Sequence, residues 1–585
     1  MIAEKKWILL PNADKEETQR LSKALGIPAV LANLLLQRGI KTKEEALSFF
    51  SPTLNDLHDP FLIKDMDVAV ERIEKAINRQ EKILIYGDYD VDGTTAVALV
   101  YKFLSSIGHE QVSFYIPDRY SEGYGISVKA VDYACDNGYA LIIALDCGIK
   151  AMDKVDYANS KGVDFIICDH HLPGDTIPDA VAVLNSKRSD CPYPFKELSG
   201  CGVGFKLVHA YSLKNNIPFE KVECLLDLVV VSIASDIVPV TGENRVLAYY
   251  GLKCLNCNPS RGLLSIIKIC GLERHNITID DIVFKIGPRI NAAGRMELEF
   301  DEDSAKNSGG NNAVRLLISN TDERAAKYGN IIDTNNNDRK EIDRTITIEA
   351  HRILEHQDLM NEAKCTVLYN PDWVKGVVGI VASRLIERYY RPTVVLTMSN
   401  GFITGSARSV PGFDLYQAIE SCADILESFG GHTYAAGLTM LPENIDQFKR
   451  RFEEYVEQHI CDDSLIPKIE IDTDLCLGDI NAHFRDTLCK FQPFGPGNPA
   501  PIFRTRAVSD FGHGRVVGRE LEHLKLDIID STSSVPISAI AFGQSRFAPV
   551  VLYGKMFDIS YWLVENSYRG EVKPQLRIKD IKISR

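Results

Sequence analysis

The stretch from Ile83 to Asp92, set in KILIYGDYDVDGTTA, constrains this chain more than any other. An apolar, β-branched run from Ile83 to Tyr86 meets Gly87 and then three carboxylates at alternate positions, Asp88, Asp90 and Asp92. Gly93 and a helix-like apolar series follow. The pattern reads as a buried strand that ends in a loop of acid and opens a helix. In an open α/β sheet, ligands gather beyond the carboxyl ends of the strands, so this loop is where a site is expected. Three carboxylates so close repel one another unless cations neutralise them, and all-oxygen ligands suit hard ions such as magnesium or manganese. An isolated acidic loop is more often a solvated turn. The rest of the chain decides between the two.

At 585 residues the chain exceeds what one hydrophobic core serves, and two to four domains are expected. The first residues, MIAEKKWILLPNADKEE, hold too short an apolar segment for a secretory signal, and no later run approaches a membrane span, so a cytoplasmic location is expected. The 14 cysteines form no framework and fit reduced thiols. Cys254 and Cys257 make one CxxC with no second pair at zinc spacing, which argues against a structural zinc. The net charge of −14 weighs mildly against a nucleic-acid partner. The acid is unevenly placed, however: from Cys461 onward acidic and basic residues balance, and a local basic groove can coexist with an acidic surface.

Residues 1–55 carry helical periodicity and read as a small helical leader packed on the next domain. Over 56–270, apolar runs recur at Ile83–Tyr86, Val112–Ile116, Leu141–Leu145, Phe165–Cys168 and Val181–Leu184, with room between them for crossover helices. This predicts a doubly wound parallel sheet. The runs end in chemistry: Asp88, Asp90 and Asp92; then Pro117, Asp118 and Arg119; then Asp146, Cys147 and Gly148; then Asp169, His170 and His171. A later apolar run, Val229 to Ala234, ends in Ser235 and Asp236. Such endings converge on one edge of one sheet. Residues 271–345 read as a connecting segment with a long helix, and the acidic passage at 297–310 as a solvated insertion. Residues 346–460 read as a second α/β unit. Over 461–585, short Gly-punctuated strands with interleaved basic and aromatic residues predict an OB-like β-barrel for single-stranded nucleic acid.

Seven ordered motifs then make the pattern specific. DHH at 169–171, with DYDVDG upstream, LDCGI at 145–149 and SDIVP at 235–239, resembles the DHH phosphoesterase superfamily. GPRINAAGR at 287–295, GVVGIVASRL at 376–385, GSARS at 405–409, FGGH at 429–432 and FGPGNPAPIF at 494–503 narrow the resemblance to RecJ-type single-strand-specific exonucleases. The resemblance implies two divalent ions, Mn2+ or Mg2+, held by Asp90, Asp92, Asp146, His170 and Asp236, with Asp88 in the same motif and Asp146 between the ions. It implies His171 beside them as a donor or general acid, and 346–460 as the DHH-associated domain across a cleft from the metal domain. It assigns DNA contacts to Arg119 and Tyr124, to Arg289, Asn291 and Arg295, and to Ser406, Arg408, Gly431 and His432. The expected activity is 5′-to-3′ hydrolysis of single-stranded DNA in repair and recombination. The enzyme is expected as a monomer without membrane contact, fed by a helicase or a single-strand-binding protein. One departure stands out: relatives have His after the Trp where this chain has Trp373 and Val374. A phosphodiesterase of short oligonucleotides or cyclic dinucleotides needs the metal and partner domains only, and the last 125 residues weigh against it. A non-catalytic scaffold would have lost ligands that this chain keeps.

Overall fold

The computed structural model describes residues 5–119, 121–295, 309–356, 363–568 and 571–583. The acidic passage expected at 297–310 lies outside them, Gly309 and Gly310 apart. The chain divides into two compact units. One comprises Pro52–Arg344 with Pro493–Asn498; the other comprises the first 51 residues, Thr345–Gln492 and Pro499–Arg585. The division falls inside the long helix Asp322–His356.

The first unit is built on five parallel strands: β1 (Lys82–Gly87), β2 (Val112–Tyr115), β3 (Tyr139–Leu145), β4 (Asp164–Cys168) and β5 (Ala182–Leu184). Their order across the sheet is β2-β1-β3-β4-β5. The strands are apolar on both sides because both faces are covered. Ile83, Ile85, Ile143 and Ile166 join the core with the helices Val91–Ser106, Gly200–Lys214 and Leu226–Ser235. Leu84, Tyr86, Ile142 and Ile167 alternate with them and meet the helices Val128–Asp136 and Met152–Ser160. Register aligns Gly87 with Leu145, Leu145 with Cys168, and Cys168 with Leu184, so the loops that follow emerge side by side. The sheet reverses its direction of growth at β1 and β3, and that switch point is where such sheets bind ligands. The run Val229 to Ala234 is no strand: it lies in the helix Leu226–Ser235, and Asp236 is that helix's C-cap. The residues expected as a connector, 271–344, belong to this unit.

In the second unit, β6 (Thr366–Tyr369), β7 (Thr393–Ser399), β8 (Phe402–Arg408), β9 (Ser428–His432) and β10 (Ala435–Met440) form a sheet of order β9-β10-β8-β7-β6. Phe448, Phe452 and Val456 of the helix Ile445–His459 cover its core. The barrel strands are β11 (Ile502–Asp510), β12 (His523–Ile529), β13 (Ile537–Ala541), β14 (Phe557–Tyr568) and β15 (Glu571–Ile583). They pair in the order β11-β12-β13-β15-β14 and close through β14 on β11, the OB connectivity. Phe503 and Tyr561, two of the interleaved aromatics, are fully buried inside it. The leader has its helices, at Lys15–Leu25, Ala29–Gln37 and Lys43–Phe50, but it begins with a strand. Lys6–Leu9 pairs in parallel with Lys468–Ile471, so the leader belongs to the unit of the C-terminal half rather than to the next domain.

Candidate metal centre

The carboxyl edge of β1, β3 and β4 brings Asp88, Asp90, Asp92, Asp146, Asp169, His170 and His171 together, and the helix end at Asp236 joins them. His170 Nε2 lies 3.2 Å from Asp146 Oδ1, 3.6 Å from Asp236 Oδ2 and 3.8 Å from Asp92 Oδ2. Two overlapping groups have ligand atoms close enough to share an ion: Asp92, His170 and Asp236, and Asp146, His170 and His171.

Each member is held by local structure. Asp90 caps the Val91–Ser106 helix, its Oδ1 accepting from the Gly93 amide at 3.0 Å. A Cβ on Gly93 would stand 2.4 Å from the Asp88 carbonyl oxygen, so glycine is required for the loop to fold this tightly on its own helix. Asp92, one turn in, accepts from the Gly200 amide (2.7 Å), the Cys201 amide (2.7 Å) and the Ser232 hydroxyl (2.7 Å). A carboxylate at the start of the Gly200–Lys214 helix is favoured by that helix's free amides and dipole. Asp146 adopts the left-handed conformation, φ 60°, after its amide has donated to Cys168 O. Asp and Asn tolerate that region better than most residues. Its side chain packs on Gly200, where a Cβ would fall 2.6 Å from both Asp146 Cβ and Oδ1.

The histidines are oriented from behind. His170 Nδ1–H donates to Leu198 O (3.1 Å), which leaves the Nε2 lone pair facing the carboxylates. Burial lowers the His170 pKa despite Asp92 nearby, so its close approaches to the acids are those of a neutral imidazole rather than ion pairs. Asp169 is saturated: Oδ1 accepts from the amides of His170 (2.7 Å) and His171 (3.1 Å) and from His171 Nδ1 (2.7 Å), and Oδ2 from the Ile149 amide (2.9 Å). Burial opposes the charge on both partners, yet these bonds hold Asp169 below and His171 above their ordinary ranges. His171 Nε2 faces the Tyr124 hydroxyl at 3.2 Å, and Asn185 Nδ2 donates to its carbonyl at 2.8 Å.

The remaining acids are electrostatically unsatisfied. Burial, then neighbouring carboxylates, push Asp88, Asp90 and Asp146 above the usual carboxylate range and Asp236 to about 9. Asp88 Oδ1, Asp146 Oδ1 and His170 Nε2 are buried without a hydrogen-bond partner. Orphaned buried acceptors are costly. A lone pair of neutral imidazole aimed at three carboxylates is the donor set of a divalent cation, so the residues present fit the ions that the sequence implies.

The nucleic-acid candidates fall into two sets. Beside the acidic loop, the Arg119 guanidinium lies 5.2 Å from the Tyr89 ring centroid, and Tyr124 meets Tyr89 edge-on at 6.4 Å. Asn291 Oδ1 accepts from the Val91 amide at 3.2 Å, which makes it a brace for the loop. Arg295 follows the Gly287–Ala293 helix and lies within Coulombic reach of Tyr89. Arg289 is tied to Asp333 (2.9 Å) and to Lys285 O (2.9 Å). In the other unit, Ser406 Oγ and an Arg408 terminal nitrogen each stand 3.2 Å from where a Cβ on Gly379 would be, a cradle at the start of the Val378–Tyr389 helix. Burial lowers the Arg408 pKa, and no carboxylate opposes that shift. Gly431 and His432 are exposed on the edge strand β9. Trp373, before the departing Val374, donates through Nε1 to Glu349 (2.9 Å).

Several working residues escaped sequence reasoning: Asp169 as an anchor, Gly200, Cys201 and Ser232 around Asp92, Asn185, Tyr89 and Gly379. The run SGCGVG at 199–204 was the available signal, since small residues after a Ser open a helix onto something close.

Profiles of known families match three stretches: the DHH family N-terminal domain at 82–233, the DHHA1 domain at 362–458 and the RecJ OB domain at 471–580. The single-stranded-DNA-specific exonuclease RecJ of Bacillus subtilis is 36% identical over 588 residues, covering 100% of this chain and 72% of that protein. The protein of the same name from Escherichia coli is 30% identical over 597 residues, covering 99% of each. The crystal structure of RecJ in complex with Mn2+ from Thermus thermophilus matches with a TM-score of 0.82 at 25% identity, over 99% of this chain and 80% of that one.

Proposed function

The chain belongs to the RecJ family of metal-dependent, single-stranded-DNA-specific exonucleases, and from that premise we propose that Asp88, Asp90, Asp92, Asp146, His170 and Asp236 hold two divalent ions, Mn2+ or Mg2+, over which DNA is hydrolysed from its 5′ end. The convergence of the partnerless atoms Asp88 Oδ1, Asp146 Oδ1 and His170 Nε2 on one point of the switch-point edge carries this reading. Bound there, a pair of such ions supplies charge neutralisation at both the entering and the leaving oxygen of an in-line displacement at phosphorus. Asp146, packed between the β3 end and Gly200, is placed to touch both. His171, its Nδ1 proton held by Asp169, offers Nε2 as the atom that moves a proton beside the scissile bond.

Strand selection rests on the surrounding residues. Tyr124 and Arg119, with Arg295, form an aromatic and cationic wall suited to unpaired bases and their phosphates. Ser406, Arg408 and the open backbone at Gly379 suit a terminal phosphate, which carries more charge than an internal one and pairs well with a guanidinium. Arg289 and Asn291 act by bracing their own unit. Duplex has no free base to stack, so a helicase or a single-strand-binding protein is the partner class this reading calls for, in repair and recombination. The alternative, a phosphodiesterase of short oligonucleotides, leaves the RecJ OB barrel without work. Release of label from 5′- and 3′-labelled strands, in single-stranded and blunt duplex form with Mn2+ or Mg2+, tests the proposal. Label appearing first from the 5′ end of single strands supports it; 3′-first release, or equal rates on duplex, overturns it.

A further inference from the structure

The outer wall of the barrel at β14 and β15 carries a cavity of about 280 Å³ into which Lys5, Arg546, Arg577 and Lys579 gather around Phe542 and Trp562. The strand Lys6–Leu9, paired with Lys468–Ile471, delivers Lys5, whose Nζ donates to Lys579 O at 3.3 Å. Among the described residues, none of these four cations has a carboxylate within 4.0 Å. The one acid in the lining, Asp580, is occupied by Trp7 Nε1–H at 2.8 Å. Four positive groups in one concavity repel one another, and burial together with Lys5 pushes the Lys579 pKa down. The cations are held by ring faces: Lys579 Nζ stands 4.4 Å from the Trp562 centroid, Arg577 5.5 Å from it and 5.7 Å from that of Phe542, and Arg546 4.8 Å from that of Phe547. Cation–π contacts fix position but neutralise little charge.

The same contacts decide what the cavity can take. Trp562 is covered by two cations and is not an open platform for a base. What the cavity offers is two guanidiniums and two ammoniums, a recogniser of anions that is indifferent to base identity. An enzyme that consumes a strand nucleotide by nucleotide has to accept every base. We propose that this cavity binds the phosphate backbone of the single strand, through at least two consecutive phosphates and without reading bases. The inference rests on the single-stranded-DNA reading above and assigns to the β14–β15 wall a site separate from the metal centre.

The test uses the full-length protein in EDTA, where no hydrolysis occurs, and fluorescence anisotropy of oligonucleotides of about thirty residues across a salt series. Replacing both Arg577 and Lys579 by Gln should weaken binding of the thymidine strand about tenfold and flatten the slope of log Kd against log salt by about 1.4, two lost phosphate contacts at roughly 0.7 each for single strands. An adenosine strand should lose the same factor. With metal restored, kcat at saturating strand should stay at the wild-type value while KM rises, because the contact is common to ground and transition states. The charge-conserving pair Arg577→Lys with Lys579→Arg should bind within about threefold of wild type, which separates charge from folding. Unchanged affinity and slope in the Gln pair, or loss with one base and not the other, overturns the proposal. So does a polyglutamate peptide that binds the wild type but not the Gln pair while strand affinity is the same in both, which would give the cavity to an acidic protein. If the wild type digests single strands yet the Gln pair is unaltered, this site alone fails. If the wild type neither binds nor digests them, the parent reading fails with it.

Discussion

Gly200→Ala is the substitution with the most direct consequence for the centre. The added Cβ would lie 2.6 Å from Asp146 Cβ and Oδ1 and 2.8 Å from Asp146 Cγ, whereas carbon atoms pack at about 3.5–4.0 Å. Relief requires the Asp146 carboxylate or the start of the Gly200–Lys214 helix to retreat by roughly 1 Å. Neither can move alone, because the Gly200 and Cys201 amides hold Asp92 at 2.7 Å each. A misplacement of that size in a reacting constellation costs about a hundredfold, or ~2.7 kcal/mol of barrier, and overpacking removes about 1–3 kcal/mol of stability. Gly202→Ala is the control on the same helical turn: its Cβ meets Ser199 Oγ at 3.3 Å and Leu198 Cβ at 3.5 Å, contacts that need little movement. The assay is kcat on a single-stranded oligonucleotide at saturating Mn2+, with thermal denaturation alongside. Gly200→Ala should lose about two decades of kcat and stay folded at the assay temperature, and Gly202→Ala should stay within about threefold of wild type. Equal kcat in the two variants would refute the packing argument for Asp146.

Three further outcomes follow from the same geometry. Asp88, Asp90, Asp146 and Asp236 have folded pKa values raised above those of the unfolded chain, so in EDTA they stabilise the fold fully only below about pH 4, and that contribution is lost as pH rises toward about 9. The Tm in EDTA should therefore fall between about pH 5 and 9 while the gain from added Mn2+ grows; a Tm in EDTA that rises across this range contradicts the assignment. Asp169→Asn leaves buried donors facing an amide in place of four accepted hydrogen bonds. It should lower kcat by about 10²–10⁴ through misorientation of His171, with activity within threefold of wild type as the contrary result. Arg408→Ala should erase the preference for 5′-phosphorylated over 5′-hydroxyl strands, measured as a ratio of kcat/KM. An equal loss on both ends would take the terminal phosphate away from the Gly379 cradle.

What was legible in the sequence is what short-range chemistry writes. Parallel strands buried on both faces announce themselves as continuous apolar runs, and each of the five from Ile83 to Leu184 lies where its run stands. Asp88, Asp90, Asp92, Asp146, His170 and His171 were readable because strand ends place them at one edge. Asp236 was found for the right position but the wrong element: Val229 to Ala234 is apolar enough for a strand, and a buried helix at the sheet face is apolar all round. Less legible was whatever depends on tertiary approach. Gly200 matters only because Asp146 folds over it, and Asp169, adjacent to His170, acts through bonds that no spacing reveals. The leader's strand was hidden for the same reason, since Lys6–Leu9 becomes a strand only by pairing with Lys468–Ile471. In the barrel, composition could not separate Tyr561, which is core, from its neighbour Trp562, which lines the cavity wall.

The central claim is that one cage of carboxylates and histidine at the β1/β3 edge holds two ions. Crystals grown with Mn2+, measured by anomalous diffraction, test it directly. The account predicts two anomalous peaks about 3.5–4 Å apart, both within coordination distance of Asp146, with Asp92, His170 and Asp236 around them and the Asp146→Asn protein missing at least one. A single peak that Asp146→Asn leaves in place, or manganese bound away from Asp146 and His170, would contradict it.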